Sequence, residues 1–226
     1  MTEAFPFLDE INALPGVRAG WVERVPDLCI TGGRDEAMLQ LRPFHEAAIT
    51  AFAGDVKSCW RAEQIHGHAV AVVPGSPQIV SSDGLPVVPG VDGLITAAPG
   101  VVLAIYVADC GAIWMADREN GAIGLLHSGK KGTETNILQQ AVDQMAQHFG
   151  TRPENVTATL SPCIRPPDYE VDFASEISRQ AKRAGIGNFI DCGLNTASDP
   201  ARFYSYRKEL GKTGRMLALI IRDFRP

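Results

Sequence analysis

The chain has 226 residues, 45% hydrophobic and 21% charged, with 21 basic against 26 acidic side chains and a net charge of -5. That length supports a substantial core in one domain spanning 1–226, and the acidic balance argues against the basic face that nucleic-acid binding requires. Five cysteines, at 29, 59, 110, 163 and 192, are odd in number and unevenly spaced, which favours reduced thiols over a disulfide framework.

The opening Met1-Thr-Glu-Ala-Phe5 carries an acid and no basic patch before an apolar run, so it does not read as a secretory leader and a cytoplasmic location is expected. A weak helical pattern covers Asp35 to Phe52. Short Val/Ile/Leu-rich strands are expected near 68–73, 93–97, 101–108, 111–116 and 121–126, separated by Pro74-Gly75, Pro86 to Gly90 and Pro99-Gly100. The longest uncharged stretch, Gly93 to Ala108, is broken by Pro99-Gly100 and is shorter than the roughly 20 residues of a membrane helix, so no membrane contact is expected.

From Thr133 the apolar residues Ile137, Leu138, Ala141, Val142, Met145 and Phe149 recur at helical spacing until Gly150, which predicts one amphipathic helix with a threonine start and a glycine stop. A strand near 155–160 follows. The next helix runs from Phe173 to Ala184, with Asp172 as its N-cap and Gly185 as its C-terminal glycine. A last strand is expected at 216–222. This is a mixed α/β pattern without internal repeats.

Chemistry concentrates in the hairpin that contains Cys110 and His127. With Asp117-Arg118-Glu119-Asn120 as a four-residue loop, Ala116 pairs with Gly121 and Cys110 falls opposite His127. A slip of one residue would separate the two side chains onto opposite faces. His66 and His68, two apart at the start of a predicted strand, point the same way. His66, Cys110 and His127 then make a three-ligand site with an open position, the catalytic arrangement for zinc. A buried small cysteine and a hydrogen-bonded strand-end histidine satisfy the same pattern.

After His127, the segment Ser128-Gly129-Lys130-Lys131-Gly132-Thr133 leads into a helix N-terminus, where free N–H groups and two lysines suit a phosphate; a solvated basic loop is the alternative. Gly124 to Lys130 matches the first part of a P-loop, but Lys131 stands where the metal-binding hydroxyl belongs, which excludes an ATPase. "SPCIRP" lacks the second cysteine of a zinc deaminase. Five histidines are too few for a full multicopper oxidase. A single His2Cys copper centre, with Met115 as axial ligand, stays open.

The succession Gln64-Ile-His-Gly67, Val91-Asp-Gly-Leu-Ile-Thr96, Ala108-Asp-Cys110, His127-Ser-Gly129 with Gly132-Thr133, Ser161-Pro-Cys-Ile164 with Tyr169-Glu-Val171, Tyr204-Ser-Tyr-Arg207 and Thr213-Gly-Arg215 resembles the YfiH-like laccase-domain family over about residues 60–224. Members were named polyphenol oxidoreductases or laccases. The resemblance implies instead zinc-dependent purine nucleoside phosphorylases, some also deaminating adenosine, with layered sheets and helices packed outside. It places the metal ligands on His66, Cys110 and His127. The family's His-Ala-Gly-Trp-Arg-Gly reads here with Ser128, Lys130 and Lys131, so the indole is lost and an ammonium replaces a guanidinium that could fork onto two oxygens. Thr31-Gly-Gly-Arg34 resembles a remnant of the family's N-terminal motif.

The leading expectation is a Zn2+ phosphorylase acting on a small nucleoside and phosphate. Lys130, Lys131, Gly132, Thr133 and the helix N-terminus would hold phosphate, with Arg207 and Arg215 adding positive charge or standing as surface arginines. Three alternatives remain: a metal-free hydrolase with Cys110 as nucleophile and His127 as base, a non-catalytic metal- or nucleoside-binding protein, and a copper-dependent phenol oxidase.

Overall fold

A computed structural model describes residues 5–81 and 86–223. The opening residues 1–4, on which the leader expectation partly rests, lie outside the described residues.

In chain order, α1 (Asp9–Asn12) precedes β1 (Val17–Val22), and α2 (Arg34–Ala53) leads to β2 (Cys59–Arg61), β3 (Val70–Val72), β4 (Ile79–Val80) and β5 (Pro86–Val87). Four strands then follow without an intervening helix: β6 (Gly93–Thr96), β7 (Val102–Val107), β8 (Gly111–Asp117) and β9 (Ile123–Ser128). The chain continues through α3 (Lys130–Glu134), α4 (Ile137–Phe149), β10 (Val156–Leu160), α5 (Phe173–Arg183), β11 (Asn188–Asp191) and β12 (Met216–Arg222).

These elements form a mixed α/β architecture with two main sheets, of order β1-β12-β7-β2 and β11-β10-β8-β9-β6-β3. The sheets pack face to face. Along β7, Leu103, Ile105 and Val107 join a core with Trp114, Leu125 and Leu94 of the larger sheet, while Val102, Ala104 and Tyr106 pack with Met38 and Ile49 of α2. That alternation makes the strand apolar on both faces, which is why it reads as an uninterrupted hydrophobic run. Between the sheets, Trp114 donates its indole N–H to the Leu219 carbonyl at 2.9 Å and meets Trp21 edge-on at 5.8 Å between centroids. On the outer face of the larger sheet, Ile113, Met115 and Leu160 pack against Leu138, Val142 and Met145 of α4 and Ile177 of α5. The layers therefore run α2, smaller sheet, larger sheet, then α4 with α5. No helix among the described residues is long and apolar enough to cross a membrane.

Two expectations need correction. The hairpin pairs Ala116 with Ile123, Ala112 with His127 and Gly111 with Ser128, a shift of two from the predicted register. Asp117 is the cause. Its amide bonds to the Ala122 carbonyl at 2.8 Å while its carboxylate accepts from Glu119 N–H at 2.8 Å, so the loop begins one residue later and β9 starts at Ile123. An even slip preserves the side-chain face. The predicted helix from Thr133 is also two helices: Asn136 adopts left-handed φ of 57° and caps α4 by accepting from Gln139 N–H, a conformation asparagine tolerates better than most residues.

Candidate metal centre

Two strand ends and one bend converge where the central strands β8 and β9 of the larger sheet begin and end. His127 is the penultimate residue of β9, Cys110 directly precedes β8, and His66 lies in the segment between β2 and β3. One ligand atom from each of the three lies within 4.8 Å of the others. The two imidazoles meet edge-on at 4.9 Å between centroids. His127 is buried, Cys110 half-buried and His66 exposed, so the cluster opens to solvent on the His66 side.

His68 is exposed and outside this cluster. The expectation that His66 and His68 share a strand face does not hold, because β3 begins only at Val70 and His66 sits in a bend with φ of 63°. Gln64 anchors the approach to that bend: its amide donates to the Tyr106 carbonyl at 2.6 Å and accepts from the Tyr106 N–H at 3.0 Å.

Two buried aspartates support the cluster, and neither was singled out by residue type. Asp92, fully buried before β6, accepts from His127 Nδ1–H at 2.8 Å, which turns Nε2 toward the cluster, and also from the backbone N–H of His66 and Gly67. Burial alone would raise its pKa, but the hydrogen bonds from His127 and Gly67 outweigh that and hold it below the usual carboxylate range. Asp109, with φ of 76°, accepts from the Thr196 hydroxyl and from Arg207 N–H, both at 2.7 Å, tying the Cys110 turn to two distant loops. The signal for both lay in "VDGLIT" and "VADCG": an acid set against an apolar strand has to be buried, and a buried acid has to be hydrogen-bonded.

Glycines fit the same design at two points. A Cβ on Gly129 would lie 2.4 Å from Cys110 Sγ, and one on Gly132 would lie 3.2 Å from the Gly67 carbonyl oxygen. The loop after His127 can thus close over the thiol only without side chains.

Electrostatics polarise the trio. Burial pushes the Cys110 thiol up, but the charge on His127 and hydrogen bonds from His127 and His66 bring it down to about 6. Burial likewise disfavours His127 as a cation, yet Cys110 and Asp92 together raise it to about 9. A ready thiolate and two imidazoles are the donor set of an open three-ligand zinc site, with the hydrogen-bonded carboxylate behind one imidazole that such sites use. The donors also accept copper. Met115, however, pairs with Gly124 three registers along the hairpin from Ala112 and His127 and is buried against α4, so it does not serve as an axial ligand.

The remaining candidates spread around this trio. Lys130 and Lys131 are exposed at the start of α3, whereas Gly132 and Thr133 are buried, with the Thr133 hydroxyl hydrogen-bonded to Ser128 Oγ at 2.9 Å. Arg207 pairs with Glu170 at 2.5 Å and stacks over Tyr169 at 5.1 Å. Arg215 donates to the carbonyls of Thr213 and Gly214 at 3.1 and 2.8 Å and has no carboxylate partner among the described residues. Burial and the neighbouring Arg34 lower its pKa, against the opposing pull of Cys110.

Fold and cluster together define an α/β protein with a His-Cys-His cluster that could hold a metal ion at the ends of the central strands of the larger sheet. The chain belongs to the family described as multi-copper polyphenol oxidoreductase laccase, whose model matches residues 44–176 and 171–223. It is similar to a purine nucleoside phosphorylase of Deinococcus radiodurans, 37% identical over 202 residues that cover 77% of this chain and 73% of the relative. It is also similar to the purine nucleoside phosphorylase YlmD of Geobacillus stearothermophilus, 30% identical over 191 residues covering 70% of each. The crystal structure of that YlmD superimposes with a TM-score of 0.78 at 24% identity over 93% of both chains, and that of Bacillus licheniformis YfiH with 0.75 at 21% over 91% and 92%; these two show the shared fold.

Proposed function

We propose that the chain is a single-domain, zinc-dependent purine nucleoside phosphorylase that converts adenosine or inosine and phosphate to free base and ribose 1-phosphate. Hydrolytic deamination of adenosine is the second reaction this site admits. The observation that carries the reading is the convergence of His66, Cys110 and His127 within 4.8 Å in a chain whose relatives bear that name.

Bound zinc would be held by those three residues and supply Lewis acidity at the open position. The protein's own groups bind and orient. Lys130 and Lys131 bring mobile ammonium charges to the phosphate, Arg215 adds a guanidinium that forms no ion pair among the described residues, and Arg207 contributes while tethered to Glu170. Gly132 and Thr133 complete the turn of α3 that presents the lysines. A cleft of about 320 Å³, lined by Arg34, Arg61, Gln64, Ile79 and Tyr106, begins two residues from His66 and is the proposed seat of the nucleoside. In the reaction the glycosidic C–N bond breaks, a C1′–O bond to phosphate forms, and the base leaves with the bonding pair and takes up a proton.

One observation favours a second reading. The lowered Cys110 and raised His127 describe a thiolate–imidazolium pair, which is also the polarity of a cysteine nucleophile with its base. The experiment is phosphate-dependent base release from adenosine and inosine by purified protein, with and without a strong chelator. Chelator-sensitive release that His127→Ala abolishes is expected. Activity that survives chelation but is lost on thiol alkylation would establish the nucleophile instead. No release from a protein that carries stoichiometric zinc would leave a metal- or nucleoside-binding role.

A further inference from the structure

We propose that Asp92 is the positioning residue that assembles the cluster, one carboxylate fixing both the ring of His127 and the bend that carries His66. The inference deepens the metal reading given above and rests on it. Each contact is on a different part of the site. Oδ1 accepts from His127 Nδ1–H at 2.8 Å and from His66 N–H at 2.9 Å, and Oδ2 accepts from Gly67 N–H at 2.7 Å. The main chain of the same residue grips the same two segments: its carbonyl accepts from His127 N–H at 2.7 Å and its N–H donates to the Ala69 carbonyl at 2.9 Å.

These bonds matter because His66 is otherwise poorly restrained. Its side chain is exposed, its φ is 63°, and it stands in a segment without strand pairing before Val70. A non-glycine residue in the left-handed region costs free energy and stays there only where its surroundings over-determine it. Two successive N–H groups turned onto one carboxylate supply that restraint. The anion is also needed for its acceptors: three donors converge on it, and a carboxylate, acceptor-only, can serve all three.

An asparagine cannot. With its oxygen toward His66 and His127, its NH2 faces Gly67 N–H, donor against donor. Turned over, the NH2 faces His66 N–H and His127 Nδ1; the imidazole must then place its proton on Nε2 and lose the lone pair that faces the cluster. Either way one ligand is compromised while size and shape are kept. The role differs from simple packing, because it acts on the two histidines and leaves Cys110 to its own anchor, Asp109.

The test is a Co2+ titration of wild type and Asp92→Asn against a competing chromophoric chelator, well below the melting temperature of either, with the visible spectrum of the bound ion recorded. Removal of an outer partner of a metal ligand weakens binding by about 10- to 100-fold, and that loss is expected here. The thiolate-to-metal band should persist and the ligand-field bands should change. In a His66→Ala background the same substitution should cost less, since half of what the carboxylate positions is gone. Equal affinity and an unchanged spectrum in Asp92→Asn, or losses that simply add in the double variant, would overturn the proposal. If Asp92→Asn does not fold, Gly67→Ala substitutes for it: its Cβ would press on Asp92 Oδ2 at 3.3 Å with the charge intact, and wild-type Co2+ affinity and spectrum in that variant would overturn the proposal equally. Wild-type protein that binds no Co2+ would instead refute the metal reading itself.

Discussion

Gly129→Ala replaces one hydrogen with a methyl group and should remove a metal ligand. The added Cβ would stand 2.4 Å from Cys110 Sγ and 3.4 Å from its Cβ. Non-bonded carbon contacts are favourable at about 3.5–4.0 Å, so thiol and loop must separate by about 1 Å or more. Ligand distances in a metal site are held within about 0.2 Å, and the displacement is several times that. Relief by the loop is limited, because Gly129 caps α3 and the Ser128 hydroxyl is bonded to Thr133. The expected result is a loss of metal affinity of at least about 100-fold, at the upper end of what outer-partner changes produce, with an overpacking cost of about 1–3 kcal/mol in stability. Equilibrium dialysis against Zn2+, with the Co2+–thiolate absorbance and a thermal melt, measures both. Gly33→Ala, where the added methyl meets nothing within 4 Å, is the control. Wild-type metal affinity with an intact thiolate band in Gly129→Ala would refute the assignment of Cys110 as a ligand held under this loop.

Two further outcomes follow from burial. Arg215→Met removes a guanidinium whose desolvation and repulsion by Arg34 outweigh the pull of Cys110, Tyr206 and Asp109, so Tm should stay level or rise while the KM for phosphate increases; a lower Tm with unchanged phosphate KM would contradict the reasoning. Cys59 is pushed by burial from 9.0 to about 12 despite the pull of Arg61. Between pH 9 and 12 the unfolded thiol has lost its proton and the folded one has kept it, so the unfolded state binds fewer protons and stability falls with rising pH, by up to about 1.4 kcal/mol per unit. Denaturation of Cys59→Ala over that window should show a shallower decline, and an unchanged slope would count against the burial argument.

The sequence was most legible where one rule acted alone. Asp172 capping a helix from Phe173, and the strand Met216–Arg222, follow from local side-chain chemistry and appear where expected. The strands Val17–Val22, Cys59–Arg61 and Asn188–Asp191 were not read, because Arg18, Gly20 and Asn188 interrupt the apolar pattern and pairing partners far along the chain decide these segments. Proximity of Cys110 and His127 was expected from a register that is off by two, and the face survives because side chains alternate with period two. The strand geometry assigned to His66 failed for a different reason: its left-handed bend is held by Asp92, a residue 26 positions away. Local patterns cannot show a contact of that kind, although an acid beside an apolar strand is a cue that it exists.

The departures at Lys130 and Lys131 fall on the part of the site that these anchors do not reach. His66, Cys110 and His127 are held by Asp92 and Asp109, whereas the two lysines are exposed and form no ion pair among the described residues. In the proposed site, holding a metal and holding phosphate are therefore separable. The double variant Lys130→Met with Lys131→Met should keep wild-type Co2+ affinity and spectrum, since neither side chain touches an anchor. Each exposed charge contributes about 0.2–1 kcal/mol, so losing both should raise the phosphate KM by about 2- to 30-fold and leave nucleoside binding in place. Arg in both positions, with its fork onto two phosphate oxygens, should lower that KM below the wild-type value. If the methionine pair instead lost its metal while phosphate dependence stayed the same, the lysines would belong to the support of the cluster and this division of the site would be wrong.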